Sequence, residues 1–555
     1  MKLKKLCIKN FRGLNGDGNC IDFSQSDIIY LIGKNNAGKS SYLSAYNFFV
    51  EPKKIPTIND FFNHDLNIPI EIEAIYSVDL KVDQNDKTLN KEDPNWAKKW
   101  VTKNNEILIR KIWSNTSDIG QKQTFNPEEE KYCDGGFGGF DTLLKKYSPF
   151  AININAVLTI EDLEKSINDI ITKNHIKKLE TTYSETYKNL INGLQELKSE
   201  ISESDDIKVI NNKMNSFFSE IFPKFEISIY PLPDEGIDLT KTLKSTHGLL
   251  VHEKDKDIDI DLKRNGHGLI RQAFFSFLST YQTEIAGSEK QYLILFEEPE
   301  LYLHPEALFS LRKQLYALSK NSPYQILCST HSPMMIDLSE HHSSLVRLVK
   351  DDKNNCTRTY QVDFNLFDAE DKEKLQMCNR FNPHMCESFF SDQAILVEGD
   401  TEAIIFRELI NKFYENNKYF VLNTGSKSNI QFYQKILTHF GIKHVIVHDC
   451  DEKSSVTEKG EKTNAMFTAN ENIWKQIMLS NGQHPNIARR FVHYLNFENA
   501  HGYIFDSKDG KPLSAFKFAR NLEKDEKHPC IRFLNDLFGK NEINISQEDL
   551  LKYYE

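Results

Sequence analysis

Residues 27–40, DIIYLIGKNNAGKS, join an apolar run to a glycine-rich loop. The run 27–33 is typical of a buried strand, and apolar side chains near helical spacing predict a helix over 39–50. The loop between them has the pattern GxxxxGKS, whose backbone N–H groups and helix N-terminus can face phosphate groups. We expect Lys39 to reach the β and γ phosphates of ATP and Ser40 to bind Mg²⁺. The expected nucleotide-binding residues of this loop are Gly33, Lys34, Asn35, Asn36, Ala37, Gly38, Lys39, Ser40 and Ser41.

Two later strands predict the rest of an ATPase site. The apolar residues 293–296 lead into Glu297 and Glu298, and an ATPase needs carboxylates there to hold Mg²⁺ and to orient the attacking water. We assign the first role to Glu297 and the second to Glu298. His331 follows another short apolar strand and is expected to contact the γ-phosphate, although a purely structural histidine stays open as the alternative.

A second group of acids lies in the last third of the chain. Residues 394–402, AILVEGDTE, form an apolar strand that ends at Glu398, with Glu402 four positions further on. Asp449 and Asp451 follow a later strand, and in an extended chain both would point the same way. If the strands are neighbours, these acids converge, and oxygen ligands of this kind suit Mg²⁺ or Mn²⁺. Unrelated solvated acids are the alternative.

The three motifs of the first half, together with residues 8–14 (IKNFRGL), resemble the ABC-type ATPases of DNA repair and chromosome maintenance. The resemblance implies that a signature helix closes over ATP bound to the opposite subunit of a dimer. Residues 265–272, NGHGLIRQ, occupy that place and assign Gly266 and Gly268 to ATP binding, although they depart from the usual Ser-Gly-Gly order. A glycine turn that caps a core helix stays open as the alternative.

The glutamate followed by Asp-x-Asp resembles a TOPRIM domain, and the order of both halves resembles the OLD (overcoming lysogenization defect) nuclease family. Further matches are EEPExxLHP at 297–305, EGxxE at 398–402 and Gly425-x-Lys427. The resemblance implies two-metal hydrolysis of DNA and adds a late acid and a lysine, for which we choose Glu498 and Lys511, with an exposed turn lysine as the alternative for Lys511. The catalytic residues so expected are Glu398, Glu402, Asp449, Asp451, Glu498, Lys511, Glu298 and His331; the metal ligands are Glu398, Glu402, Asp449, Asp451, Ser40 and Glu297.

The chain of 555 residues is too long for a single core. We predict an α/β protein in which an ABC-type ATPase domain with an inserted helical arm precedes a TOPRIM domain with a parallel sheet. The predicted segments are the ATPase N-terminal part (1–158), a helical insertion for dimerisation (159–223), the ATPase C-terminal part (224–350), a linker (351–383) and the TOPRIM domain (384–555). An ordinary helical subdomain remains an equal alternative for 159–223.

Composition agrees with a cytoplasmic protein that does not enter a membrane. No apolar stretch has the ~20 residues that span a bilayer, and nine scattered cysteines without a CxxC pair favour reduced thiols. The net charge of −11 argues mildly against a DNA partner, but a local basic groove can coexist with an acidic total.

The functional hypothesis is a dimeric or larger ATP-gated DNA endonuclease or nickase of anti-phage defence. The family resemblance implies that the protein acts alone, beside a helicase-like protein, or with a reverse transcriptase and its RNA–DNA product. An ATP-driven DNA sensor with a non-cleaving metal site is the alternative. A topoisomerase would require a further domain with a tyrosine nucleophile, and no region is large enough to hold one.

Overall fold

The computed structural model describes residues 1–80, 95–137, 144, 147–156, 189, 251–253, 258–260, 291–320, 322–337, 344–351, 354–361, 371, 373–374, 384–415, 419–457, 460–539 and 543–552. The chain divides into two compact units, Met1–Ala156 with Glu289–Glu555, and Val157–Ser288. In the second unit the structure describes the backbone of two short strands, which pair antiparallel. The predicted helical insertion at 159–223 and the predicted residues Gly266 and Gly268 lie outside the described residues.

The strands have the following bounds: β1 (Lys2–Lys9), β2 (Cys20–Asp22), β3 (Ile28–Ile32), β4 (Ile70–Ser77), β5 (Glu106–Trp113), β6 (Gln121–Asn126), β7 (Lys131–Asp134), β8 (Phe150–Ile154), β9 (Val251–Glu253), β10 (Ile258–Ile260), β11 (Tyr292–Glu297), β12 (Tyr324–Ser329), β13 (Leu345–Asp351), β14 (Cys356–Gln361), β15 (Gln393–Val397), β16 (Tyr419–Asn423), β17 (Lys443–Asp449), β18 (Ser454–Thr457), β19 (Gly460–Thr463) and β20 (Ala488–His493). The helices are α1 (Lys39–Val50), α2 (Trp96–Trp100), α3 (Pro305–Ser319), α4 (Met385–Ser388), α5 (Asp400–Phe413), α6 (Ile430–His439), α7 (Ala465–Gln483), α8 (Phe497–His501), α9 (Gly510–Asn521), α10 (Pro529–Phe538) and α11 (Gln547–Lys552). Within the described part of the chain, no helix has the length and apolar character that a membrane span requires.

An antiparallel sheet with the order β2-β1-β4-β5-β6-β7 forms one layer of the first half. Its strands β4 and β5 alternate fully buried and half-buried side chains, which is the period of a sheet with one face on the core. In this core the Phe48 ring packs against Phe11 at a tilted angle and against Trp113 in a T-shaped arrangement. Because Phe48 lies on α1, the antiparallel sheet supports the helix that follows the glycine-rich loop.

The second sheet has the order β14-β13-β3-β12-β11-β8, in which only the edge strand β14 is antiparallel. Every residue of β3 and β12 is buried, as expected for parallel strands covered on both faces. The strands β3, β12 and β11 are direct neighbours, so the three segments that follow them meet at one edge. That edge carries the predicted ATPase motifs.

Strand β14 lies inside the stretch that the sequence predicts to be a linker. It pairs with β13 through the register from Val346↔Gln361 to Asp351↔Cys356. Its polar residues favour a linker when only the sequence is considered. An edge strand, however, pairs with a neighbour on one side only and faces solvent on the other, so polar residues are tolerated in it. The parallel sheet therefore extends to residue 361.

A third sheet, with the order β16-β15-β17-β20, is parallel throughout. Its core includes Ile405 and Phe406 from α5 and Leu534 from α10, all fully buried. Strands β15 and β17 are adjacent in the middle of the sheet. Residues that follow these two strands therefore share its carboxyl edge.

The second and third sheets are joined by a buried arginine. Arg347 of β13 is 3% exposed and donates to the carbonyl oxygens of Phe389 (2.9 Å), Ser391 (2.8 Å) and Phe440 (2.8 Å). Gly441 adopts φ +63°, and a Cβ atom there would lie 2.5 Å from the Tyr360 ring of β14. The two sheets therefore pack at close range.

One pair of cysteines departs from the predicted reduced state. Cys7 and Cys20 are directly opposite in the β1–β2 register and form a disulfide. Directly opposed residues in antiparallel strands bring their Cβ atoms close enough for such a bond. The scattered spacing in the sequence does not reveal this, since only the strand pairing sets the two residues side by side.

Candidate nucleotide site and candidate metal centre

The glycine-rich loop lies between β3 and α1, as its flanking patterns predict. Gly38 caps α1 with φ +96°, and Gly33 adopts φ +146°. Lys39 is 6% exposed, and its Nζ donates to the carbonyl oxygens of Gly33 (2.8 Å) and Lys34 (2.9 Å). Burial lowers the pKa of Lys39 to about 8. The ammonium group thus lies against the loop that would surround phosphate.

The other loop residues have different surroundings. Asn35 and Asn36 are exposed, Ala37 is buried, and the Ser41 amide donates to the carbonyl oxygen of Gly38. The side chain of Lys34 forms an ion pair with Asp392, the residue that precedes β15. Its side chain therefore contacts the third sheet, and only its backbone belongs to the loop.

The predicted Mg²⁺ ligands of the ATPase lie next to each other. Ser40 Oγ donates to Glu297 Oε1 at 2.6 Å, which joins the start of α1 to the end of β11. A hydroxyl and a carboxylate at this distance can serve one cation that bridges ATP phosphates. Both are oxygen donors, so the side chains present fit a magnesium ion.

Glu298 and His331 lie opposite the loop. His331 Nε2 is 3.6 Å from Glu298 Oε1, and Glu298 itself adopts φ +45°. Burial and the Lys39 charge lower the pKa of His331, so its ring tends to be neutral. Arg12, Lys39, Ser40, Glu298 and His331 line a cavity of about 790 Å³. This volume lies in the usual range for small-molecule sites.

Glu300 is a residue of this site to which the sequence analysis gave no role. Its Oε1 accepts a hydrogen bond of 2.6 Å from the backbone amide of His331. The loop after β12 is thereby tied to the loop after β11. Glu300 belongs to the motif EEPE, but the group that it binds is a backbone amide, which the sequence does not identify.

The predicted metal centre is built on β15 and β17. Glu398 directly follows β15, Asp449 ends β17, and the Asp449 amide donates to Glu398 Oε1 at 2.7 Å. Burial, and then the neighbouring Asp449, raises the pKa of Glu398 to about 8. Burial, and then Asp451, raises the pKa of Asp449 to about 7. The structure brings these two predicted ligands together.

Glu402 lies in the first turn of α5, near Asp449. It is 8% exposed, and its Oε2 accepts a hydrogen bond of 3.1 Å from the Gly399 amide. Burial is the main cause that raises its pKa to about 7. Glu498 is held in the first turn of α8, where its charge contributes to the raised pKa values of Glu402 and Asp449. The acids therefore form one electrostatic cluster.

Asp451 does not follow the predicted strand geometry. Strand β17 ends at Asp449, and Asp451 adopts φ +58°, so alternation along a strand does not orient it. Its carboxylate forms an ion pair with Lys427, whose Nζ also donates to the Asp449 carbonyl oxygen at 2.5 Å. The expectation that Asp449 and Asp451 share one direction as strand residues is wrong, because the chain leaves the sheet between them.

Lys427 contacts the acids of this centre, whereas the role of Lys511 stays a prediction. The Lys427 side chain is fully buried, whereas Lys511 is exposed in the first turn of α9. Among the contacts of the described residues, none joins Lys511 to Glu398, Asp449 or Asp451. The signal for Lys427 was the motif Gly425-x-Lys427, in which Gly425 takes φ +71°.

The donor set suits a divalent cation. Glu402 is buried, and Glu398 and Asp449 are half-buried. These three carboxyl groups with raised pKa values repel one another when ionised, and a cation among them removes that cost. In the described ranges, no three His, Cys, Asp or Glu side chains are arranged so that they could hold a metal ion without rearrangement. Asp451 would have to exchange Lys427 for a cation to join the other acids.

Comparison with known proteins gives two family matches. A family described as AAA ATPase domain matches residues 1–147 and 139–336. A family described as Overcoming lysogenization defect protein-like, TOPRIM domain, matches residues 389–451. The predicted fold class, an α/β ATPase followed by a TOPRIM domain, is thereby confirmed. These domains imply that the chain uses a nucleotide and a divalent metal.

Curated relatives extend over most of the chain. It is 27% identical over 492 residues to "Old nuclease" of Escherichia phage P2, covering 82% of this chain and 78% of that protein. It is 25% identical over 487 residues to "Endonuclease GajA" of Bacillus cereus (strain VD045), covering 83% and 77%. The solved SMC head domain from Thermotoga maritima aligns with 15% identity and a TM-score of 0.30, covering 65% of this chain and 100% of that chain. With both domains matched in the same order, the chain belongs to the OLD family of ATPase–TOPRIM nucleases.

Proposed function

We propose that this protein binds and hydrolyses ATP and cuts or nicks DNA at Glu398, Glu402, Asp449 and Asp451, with Mg²⁺ or Mn²⁺ bound there. The observation that carries the proposal is the contact between Glu398 and the Asp449 amide at the ends of adjacent parallel strands. Two separate segments thereby place half-buried carboxyl groups side by side. The relatives that match most of the chain are named as nucleases, which supports the same chemistry.

The residues of the metal centre have distinct roles in this proposal. Divalent cations held by the four acids would supply a water of lowered pKa and stabilise the leaving oxygen of a phosphodiester. Glu398 is fixed by the Asp449 amide and Glu402 by the Gly399 amide, so both carboxylates are oriented in advance. Lys427 places a positive charge beside Asp451, where it can offset negative charge on a bound phosphate.

The nucleotide site would supply control rather than cleavage. Lys39 would exchange its two carbonyl partners for phosphate oxygens, Ser40 and Glu297 would hold Mg²⁺, and Glu298 would orient water. His331, placed by Glu298 and by the Glu300 contact of its amide, would sense the γ-phosphate. The domain boundaries and assembly as a homodimer or larger oligomer are part of this proposal.

A role in anti-phage defence in the cytoplasm completes the proposal. The relative named endonuclease GajA supports an endonuclease, and the resemblance of the sequence motifs implies the defence role. A helicase-like protein, or a reverse transcriptase with its RNA–DNA product, would be the partner of such an effector. The neighbouring genes distinguish these arrangements.

Substitution of Glu398 tests the nuclease proposal. Glu398→Gln keeps the acceptor for the Asp449 amide but removes the charge, so we expect plasmid cleavage with Mn²⁺ to fall at least 100-fold. ATP hydrolysis should stay within about two-fold, because the substitution lies on the third sheet. The matched control is Glu415→Gln, at an exposed acid after α5. Equal cleavage by wild type and Glu398→Gln would overturn the assigned site.

A DNA sensor with a non-cleaving metal site is the second candidate. The ion pair between Lys427 and Asp451 favours it, because a lysine already provides part of the positive charge that a cation would bring. Prolonged incubation of the pure protein with supercoiled plasmid and Mn²⁺ separates the two functions. Nicked or linear product supports the nuclease, and intact plasmid with retained DNA binding supports the sensor.

A further inference from the structure

Two buried histidines lie behind Asp449 and have no role in the chemistry above. His493 is the last residue of β20 and stands opposite Asp449 in the parallel register. His501 is the last residue of α8, the short helix that also carries Glu498. Their exposed fractions are 4% and 3%, so water does not satisfy their ring nitrogens.

The two rings form a chain of contacts that ends on the Asp449 carboxylate. His493 Nδ1 lies 3.3 Å from Asp449 Oδ1, and its Nε2 lies 2.9 Å from His501 Nε2. At the far end, the buried His501 Nδ1 has no hydrogen-bond partner among the described residues. The phenyl rings of Phe497 and Phe533 pack against both imidazoles and hold their planes.

These contacts assign the protons of the two rings. A buried N–H without an acceptor is costly, so the unpartnered His501 Nδ1 is the bare nitrogen and the proton lies on Nε2. That N–H donates to His493 Nε2, which must then be bare. The proton of His493 therefore lies on Nδ1 and points to Asp449 Oδ1. A single arrangement of protons satisfies every contact.

We propose that His501 and His493 form a relay that positions the Asp449 carboxylate for divalent cations. His501 selects the tautomer of His493, and His493 donates a hydrogen bond to Asp449 Oδ1. The inference rests on the proposed function, since it assigns Asp449 to the cations. Hydrogen bonds to ligating carboxylates and imidazoles are a general way in which proteins orient metal ligands. Because α8 carries both His501 and Glu498, the relay also ties the late acidic motif to the end of β17.

Two substitutions of His493 in the full chain separate its N–H from its bulk. His493→Asn offers an amide N–H at the position of Nδ1, whereas His493→Leu offers none. Mn²⁺ binding without DNA is measured by electron paramagnetic resonance, and plasmid cleavage is measured against Mn²⁺ concentration. We expect His493→Leu to raise the half-saturating Mn²⁺ concentration about 10- to 100-fold in both assays, while the rate at saturating Mn²⁺ falls less. His493→Asn should remain within a few-fold of wild type.

Variants of His501 and of an exposed histidine complete the experiment. His501→Leu should weaken Mn²⁺ binding less than His493→Leu, and it should add nothing in the His493→Leu background. His384→Leu, at a histidine side chain that is 62% exposed, is the matched control and should change nothing. Circular dichroism and the thermal transition of the TOPRIM domain report that each variant is folded.

The outcomes separate the relay from the proposed function. If wild type binds Mn²⁺ and cleaves, but His493→Leu has the same Mn²⁺ dependence, the relay is overturned and the nuclease stands. Equal losses in His493→Asn and His493→Leu would also overturn it, because the donated N–H would then not matter. Wild type that neither binds Mn²⁺ nor cleaves would overturn both.

Discussion

At the scale of single residues, the fold places acids where their charges are costly. The pKa of Glu398 is raised to about 8 and those of Glu402 and Asp449 to about 7, with burial as the largest cause for each. An acid with a raised pKa binds its proton more tightly in the folded state. It therefore favours folding at low pH and loses that contribution as the pH rises.

The stability of the metal-free protein is expected to depend on pH through Glu398. Its contribution is full below the ordinary pKa of 4.5 and is lost as the pH rises towards about 8. Relative to Glu398→Gln, the free energy of unfolding of wild type should fall by roughly 1–4 kcal/mol between about pH 5 and pH 8, since one pKa unit corresponds to about 1.4 kcal/mol. Urea unfolding of both proteins in the presence of a chelator measures this difference in the free energy of unfolding.

Addition of Mn²⁺ provides the control for this pH effect. At pH 8 the cation should restore stability to wild type and much less to Glu398→Gln, because only wild type offers the charged ligand. A difference between the two proteins that is constant across this pH range would contradict the raised pKa of Glu398.

At the scale of strands and loops, both candidate sites lie where parallel strands end. Strands β3, β12 and β11 deliver the loop, His331 and Glu297, and strands β15 and β17 deliver Glu398 and Asp449. Ligand sites commonly lie at the carboxyl ends of strands in α/β sheets. The glycine-rich loop also depends on its neighbour β13, since a Cβ atom at Gly33 would lie 2.4 Å from the Leu348 carbonyl oxygen.

Gly33→Ala tests this close approach. The added methyl group would force β13 and the loop apart, and φ +146° is unfavourable for alanine. We expect the free energy of unfolding to fall by roughly 1–3 kcal/mol and ATP affinity to fall about 10-fold or more. Gly18→Ala is the matched control, because its Cβ atom would meet nothing within 4 Å. Unchanged ATP affinity in titration calorimetry would contradict the assigned loop geometry.

At the scale of the whole molecule, the ATPase sheet and the TOPRIM sheet are coupled through few residues. Arg347 donates to carbonyl oxygens in the segment before β15 and directly after α6. Lys34 of the nucleotide loop forms an ion pair with Asp392. The Lys34–Asp392 pair is about half exposed and contributes little stability, as surface ion pairs generally do. Of these described contacts, the buried hydrogen bonds of Arg347 are therefore expected to contribute more to the attachment than the exposed ion pair.

Arg347→Leu should weaken the attachment between the two sheets. It leaves four carbonyl groups, those of Phe389, Ser391, Phe440 and Gly441, without this donor, so we expect the free energy of unfolding to fall by roughly 2–5 kcal/mol. Separate melting of the two domains should appear in calorimetry. Arg358→Leu, at an exposed arginine on the neighbouring β14, is the control and should melt as wild type does. A single unshifted transition in Arg347→Leu would contradict this role.

The sequence alone was sufficient to predict the glycine-rich loop, the order of the two domains and the position of Glu398 at a strand end. These features depend on patterns within a few neighbouring residues, such as an apolar run followed by glycine. Lys511, chosen because the family resemblance implies a late lysine, stays a prediction. Lys427 is the lysine that contacts the acids, because α6 and β17 bring it there from a distant part of the sequence.

Tertiary structure alone decided the direction of Asp451, the pairing of β14, the disulfide and the relay of His493 and His501. Each depends on a contact between residues that are not adjacent in the sequence, and strand pairing and packing bring these residues together rather than the local pattern. The sequence therefore determined which chemical groups stand at the strand ends, and the packing determined which of them touch. The physical reason is that backbone propensity acts over neighbouring residues, whereas hydrogen bonds between side chains require the whole core to be in place.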